Sequence, residues 1–538
     1  MEKAYDYSSF LTSGASAQWG RIGARRRAGV IAPLFAIHSK KSAGIGEIPD
    51  LALLADWCAA TGQSLIQLLP MQDVAFDFCP YDAVSSFALE PMHLRLDALK
   101  GVRPAAWRPR IQELRAKFPA GGPRVDYGIK SAKLTLLWEI FEANDPSGSA
   151  AFNRFLAREK SWLPDYALYK VIRYLNHERP WPEWEPALRD RRPEALAAVL
   201  KEHARTVLFH QWMQWQLWEQ MKAAKAAAAE KGILLIGDLP FLVSRHSADV
   251  WANPRLFKLD RAAGAPADYF DKNGQRWGMP PYDWEAIAAD GYRYLREKLR
   301  YAQEFYDLYR IDHAIGMFRI WTIRLDEPVE HAGRFGAFDP PDEQVWEAHG
   351  ARILTAILAN TRMLPCAEDL GVVPKCSNPT LARFGLPGMD IQRWLRDPRD
   401  SRRILPPEEY RLNSIATLTT HDMIPVIRWW RDLSEHERGE FAAYFGMRAA
   451  GPGLAGEAVR RALEAVSRSA AVFAVQSLQD WFSLGLPDHE DRLSRPTNVP
   501  GTFDPSNWSW VSPYGLEEMA ELPLNPAIME LNRASDRV

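Results

Sequence analysis

Cysteine is scarce: Cys58, Cys79, Cys366 and Cys376 are the only four in 538 residues, and none forms a CxxC pair. That excludes a disulfide framework and a zinc knuckle, and it points to reducing cytoplasm as the expected setting. Charge of one sign is not in excess either, since 66 Lys+Arg face 68 Asp+Glu for a net charge of −2. The uniform positive field that holds nucleic acid or anionic membrane is therefore missing, and neither is an expected partner. No uncharged apolar run approaches the roughly 20 residues of a membrane span. The amino-terminal text MEKAYDYSSFLTSGASAQWG has no apolar core of an export signal, so export by that route is not expected. The 12 histidines show no HExxH or comparable ligand spacing, so metal catalysis is not expected, and no cofactor is called for.

Hydrophobic residues at 47% and charged residues at 25% are ordinary for a globular chain and suffice for a large core. Aromatics are abundant, with 21 Trp, 17 Tyr and 23 Phe. Such flat side chains fill cores, and they also stack on the apolar faces of sugar rings, which favours a carbohydrate ligand.

Eight short apolar runs, each ending in a polar or Pro/Gly residue, alternate with helix-like text. They are 29–37, 64–70, 233–241, 305–312, 363–371, 389–394, 414–422 and 470–478. Near-continuous apolar runs are the signature of parallel strands covered by helices on both faces. Eight of them suggest a closed (β/α)8 TIM barrel with its active site at the C-terminal strand ends. The chain reads as one catalytic domain over 1–538 with insertions and no separate C-terminal β domain. Residues 92–205 read as a helical insertion, 423–469 as a second, and 244–285, rich in Asp, Asn, Gly, Pro and aromatics, as an active-site loop insertion. In 205–231 the residues Leu208, Trp212, Trp215, Trp218 and Met221 recur at spacings of three and four, one apolar face read as core packing.

Several of the runs end in acids: Asp238 in GDLPF, Asp312 in YRIDH, Glu368 and Asp369 in CAEDLG, and Asp422 after His421 in TTHDM. One Asp just past a strand often serves only to cap the next helix. Carboxylates recurring on successive strands beside Arg310 and His421 instead fit a cleft in which acid and base roles are separated by pKa. Two carboxylates across a scissile bond, one protonated and one ionised, are what glycosidic cleavage needs.

The segments RIDH (310–313), AEDLG (367–371) and THD (420–422) occur in an order and context that resemble the amylomaltase, or 4-α-glucanotransferase (disproportionating enzyme), family of the α-amylase clan. So do CPYDAVSSFALEP (79–91), GDLPFLVSRHSADVWANPRLF (237–257), PADYFDKNGQRWGMPPYDW (266–284), FGLPGM (384–389) and NVPGT…NW (498–508). The resemblance runs from about 29 to 511. It implies a retaining enzyme in which Asp312 is the nucleophile, Glu368 the general acid/base and Asp422 the transition-state stabiliser. Asp238, His421 and Asp422 would bond donor-sugar hydroxyls, and Tyr81 would stack under that sugar. Arg310 lies two residues before Asp312, hence on the same strand face, which puts a guanidinium beside the nucleophile. Tyr269, Phe270, Gln275 and Trp277 resemble the family's segment that folds over the glucan and keeps water from the intermediate.

The implied partners are a maltodextrin or related α-1,4-glucan donor and a sugar acceptor. The text departs from the family's usual pattern at LPMQDV (69–74), at Met279, along Ala314 to Ile320 and at Val511, near loop or acceptor-side positions. An α-1,4-glucan hydrolase would carry the same carboxylates, and a non-catalytic glucan-binding barrel is the alternative of another class.

Overall fold

The computed structural model describes residues 5–267, 272–485 and 489–538. Each apolar run supplies one strand of a parallel sheet. The strands are β1 (Arg27–Ile31), β2 (Leu65–Gln67), β3 (Leu234–Leu239), β4 (Leu308–Ile311), β5 (Leu364–Ala367), β6 (Gly388–Ile391), β7 (Ser414–Thr417) and β8 (Phe473–Ser477). Their spatial order is their chain order, with β8 returning to lie beside β1 so that Phe473 stands opposite Arg27. Between β5 and β6 the ring is joined by the Ala367 N–H, which donates to the Pro387 carbonyl at 2.7 Å. This is the expected (β/α)8 barrel.

Apart from Leu234 and Ser477, the strand residues are buried. That is why they read as unbroken apolar text instead of alternating. Gly237 in β3 is set by close approach: a Cβ there would lie 2.5 Å from the Tyr306 ring.

Between β2 and β3 the chain folds into helices that include α1 (Gly128–Ala143), α2 (Leu163–Leu175) and α3 (Ala204–Glu230). The stripe on α3 faces the core as expected, with Trp212, Trp215 and Met221 buried and Leu208 and Trp218 packed against them. Burial of each such side chain contributes about 1.5–3 kcal/mol. Polar residues of α3 dock it as well. The Gln214, Gln216 and Gln220 amides each both donate to and accept from one backbone residue, respectively Leu89, Lys100 and Arg95. The helix stops at Glu230, and Gly232 comes two residues later with φ +72°, a left-handed turn that glycine adopts without steric cost.

The segment read as an active-site loop contains more regular structure than its composition suggested. Arg261–Ala265 and Gln275–Arg276 form an antiparallel sheet with Ile320–Arg324 and Ala337–Asp339. The central pairing, 261–264 with 321–324, joins segments far apart along the chain, so local turn chemistry gave no sign of it. The departing stretch 314–320 takes part in it: Ala314–Met317 is a short 3-10 turn and Ile320 opens the third of these strands. Among the described residues no helix is long and apolar enough to cross a membrane.

Candidate active site

Arg310, in β4, organises the mouth of the barrel. Its Nη1 donates to both Asp238 oxygens at 2.9 Å and to Asp312 Oδ1 at 3.0 Å, while Nη2 lies 4.0 Å from Glu368 Oε2. Asp312 and Glu368 each stand one residue past the end of their strands, β4 and β5. A parallel neighbour pair with matched register therefore brings the two carboxyl groups to one guanidinium. Asp238 is wholly buried within β3, and its second oxygen also accepts the Tyr81 hydroxyl at 2.7 Å. Both of its oxygens are thus occupied by protein in this structure.

Glu368 is held by main chain. Its Oε2 accepts the His313 N–H and its Oε1 the Leu370 N–H, both at 2.8 Å. His313 has φ +46°, a left-handed conformation that costs a non-glycine residue energy and is found at functional turns. Here the turn aims the peptide N–H just after Asp312 at Glu368. Burial pushes the Glu368 carboxyl up to about 7; Arg310 and the two N–H donors oppose that shift and Asp312 adds to it. Burial also lowers the His313 ring to about 4, so it is neutral near pH 7. Its edge meets Trp277 at 4.7 Å between ring centres. Trp277 Nε1 in turn donates to Gln275 Oε1 at 2.9 Å. Tyr269 and Phe270 lie outside the described residues.

Asp422 completes the arrangement from the loop after β7. Its oxygens meet His421 Nε2 at 3.2 Å and the Asn498 side-chain amide at 2.6 Å. The surrounding protein disfavours its charge, but His421, Asn498 and Arg310 outweigh that and hold the carboxyl at about 2. His421 is buried and stacks on Tyr81 with ring centres 5.1 Å apart and planes 21° apart. Tyr81, Asp238, Arg310, Asp312, Glu368, His421 and Asp422 are thereby linked by direct contacts. Glu368 and Asp422, both carboxylates, are driven in opposite directions, the condition for separate acid and ionised roles.

The profile of the family described as 4-alpha-glucanotransferase matches residues 32–514. The chain belongs to the 4-alpha-glucanotransferase family. The 4-alpha-glucanotransferase of Chlamydia pneumoniae is 34% identical over 513 residues, covering 93% of this chain and 94% of that one. The Thermus thermophilus enzyme is 33% identical over 456 residues, covering 82% and 86%. Among solved structures, the Streptococcus agalactiae amylomaltase in complex with acarbose superposes with a TM-score of 0.79. It is 24% identical and covers 95% of this chain and 100% of its own. At that identity the superposition speaks for the fold.

Three supports of this 4-alpha-glucanotransferase site were not assigned from sequence. Asn498 holds Asp422 with its side chain and donates its N–H to the His421 carbonyl at 3.0 Å. Trp508 joins Tyr81 and His421, each 5.7 Å away between ring centres. Both lie in the matched NVPGT…NW segment, which was the available signal. Asp369, beside Glu368, faces the other way: it binds Arg411 at 2.5 Å and accepts the Met389 N–H at 2.7 Å, tying β5 to β6.

The departing LPMQDV text also has a structural reason. Asp73 is buried among Lys130, Lys170 and the Tyr166 hydroxyl. Burial opposes its charge, but the two lysines overcome this and hold its carboxyl below the usual range. Lys130 also grips the Val74 carbonyl and Glu90, fixing the base of the excursion that carries Tyr81. Among the described residues no group of three or more His, Cys, Asp and Glu is arranged to hold a metal ion.

Proposed function

We propose that this enzyme cleaves α-1,4-glucosidic bonds of maltodextrins by retaining double displacement and passes the glucanosyl unit to the 4-OH of an acceptor glucan or glucose. In the first step an Asp312 oxygen attacks the anomeric carbon. The bond from that carbon to the leaving oxygen breaks, and the Glu368 proton moves to the leaving oxygen. In the second step the acceptor 4-OH gives its proton to the Glu368 carboxylate while its oxygen displaces Asp312. Two inversions restore the α configuration. The ionised Asp422 faces the positive charge that develops on the sugar, and His421 and Tyr81 flank the same ring.

The observation that carries this reading is the opposed tuning around Arg310: Glu368 is raised to about 7 while Asp422 is held at about 2. An acid at about 7 serves both steps, protonated in the first and ionised in the second. Trp277, beside His313, contributes to keeping water from the ester, together with Tyr269, Phe270 and Gln275, so that an acceptor sugar competes successfully. The free cysteines suit a cytoplasmic enzyme.

The test is incubation with maltotriose, with glucose measured separately from total reducing ends. Transfer produces glucose with both shorter and longer maltodextrins at constant total reducing ends. A steady rise in reducing ends identifies a hydrolase instead. Asp312→Asn should lower transfer at least about 10³-fold while glucan binding stays measurable; normal turnover by that variant removes Asp312 from its role.

A further inference from the structure

A second cleft opens beside the barrel mouth, between the turn before Trp284 and α4 (Glu343–Ala359), with a volume of about 510 Å³. Its apolar surface comes from Tyr282, Trp284, Ile320 and Val345. The Trp284 ring packs in a tilted arrangement against Tyr282 at 5.2 Å and Phe241 at 6.3 Å, and Phe241 stands 6.4 Å from His313. One aromatic layer therefore separates this cleft from the reacting carboxylates, and none of the residues assigned to catalysis lines it.

Four of the five Asp, Glu, Lys and Arg side chains that line the cleft form two ion pairs. Lys258 Nζ lies 2.5 Å from Asp339 Oδ2, and Arg352 Nη2 lies 2.6 Å from Glu285 Oε1. Asp283 caps the helix Trp284–Ala289 by accepting the Ala286 N–H. Burial lowers the His349 ring below its ordinary value, which favours its neutral form. Paired charges give no reason to attract an ion. They do present donors and acceptors at the margin of an aromatic and aliphatic surface, and Arg352, which also approaches His349 Nδ1 at 3.4 Å, keeps guanidinium donors beyond those facing Glu285. Small-molecule sites are concave and mainly apolar, with a few placed polar groups, and run to about 300–1,000 Å³. A pyranose has the matching shape: apolar faces made of C–H groups and a girdle of hydroxyls.

We propose that this cleft is a second glucan-binding site, which holds a neutral segment of two or three α-linked glucose units from a long donor while another part of that chain occupies the active site. The inference rests on the reading of the enzyme as an α-glucan transferase. Such a site raises the affinity for long chains through effective concentration, and does nothing for a substrate too short to span both positions.

The test uses the full-length enzyme with Val345→Asp and, separately, Arg352→Ala. Val345 is 42% exposed and lies in the first turn of α4, where an acidic residue suits the helix dipole, so the first variant should fold. The measurements are KM and kcat for amylose and for maltotriose, and retardation of the protein in gels containing amylose. The expected result is weaker retardation and a roughly five-fold rise in KM for amylose, with both maltotriose constants unchanged. Unaltered amylose constants and retardation in both variants would overturn the proposal. So would a matching loss on maltotriose, because the residues would then be serving the active site itself. If the wild type fails to transfer from maltotriose, the functional reading fails, and gel retardation alone still decides whether the cleft binds glucan.

Discussion

The side-chain amide of Asn498 donates to Asp422 at 2.6 Å across 76 positions of sequence. The same residue's N–H holds the His421 carbonyl, so one asparagine fixes both members of the His-Asp pair. Asn498→Ala should remove one charge-assisted bond from Asp422 and lower kcat about ten-fold, with a smaller change in KM. Asn498→Asp should be worse, since a carboxylate would face a carboxylate. Steady-state kinetics on maltotriose check both. An effect confined to KM would make Asn498 a binding residue only.

The pH profile should report Glu368. As the proposed general acid it must carry its proton when the bond breaks, and its carboxyl is raised to about 7. Below that pH it is protonated and competent; above it, kcat/KM should fall by about a factor of ten per pH unit. Asp422, held at about 2, stays ionised throughout the working range and contributes no limb near neutrality. Glu368→Gln should remove the alkaline limb along with most of the activity. A limb that survives in the residual rate would belong to another group.

Removing the guanidinium should harm stability as well as chemistry. Asp238 is wholly buried and Arg310 is its cationic partner. Arg310→Ala leaves an uncompensated buried carboxylate, at a cost of about 3–5 kcal/mol in unfolding free energy. The double variant Asp238→Asn/Arg310→Ala should recover part of that loss without restoring activity. Denaturant unfolding of the three proteins checks this. Equal stability of the single and double variants would mean that Asp238 takes up a proton instead.

Trp277 tests the shielding of the intermediate. Its contact with His313 puts it beside the residue next to Asp312, while its indole N–H is taken up by Gln275. Trp277→Ala should leave bond cleavage in place and raise the ratio of hydrolysis to transfer on maltotriose. An unchanged ratio with both rates lowered together would make the ring a binding surface and nothing more.

The barrel was legible because its cause is local. A strand buried on both faces must be apolar along its length, and the eight runs could be read wherever that condition held. The neighbourhood of Arg310 and Asp312 was legible for the same reason, since alternation in one strand puts residues two apart on one face. The stripe of α3 came equally from the helical period. Tertiary structure alone decided everything that depends on desolvation and on meetings between distant segments. Glu368 is an acid near 7 because packing removes its water, a property that no spacing in its own segment records. His313 can aim its N–H at Glu368 only because β4 and β5 are in register. Asp238 comes from β3, Tyr81 and Asn498 from two excursions of the chain, and only closure of the ring brings them to one mouth. The sheet formed by 261–265, 275–276, 320–324 and 337–339 was hidden for the same reason: its strands are short, and its central pairing, 261–264 with 321–324, joins two segments that only the folded barrel brings together.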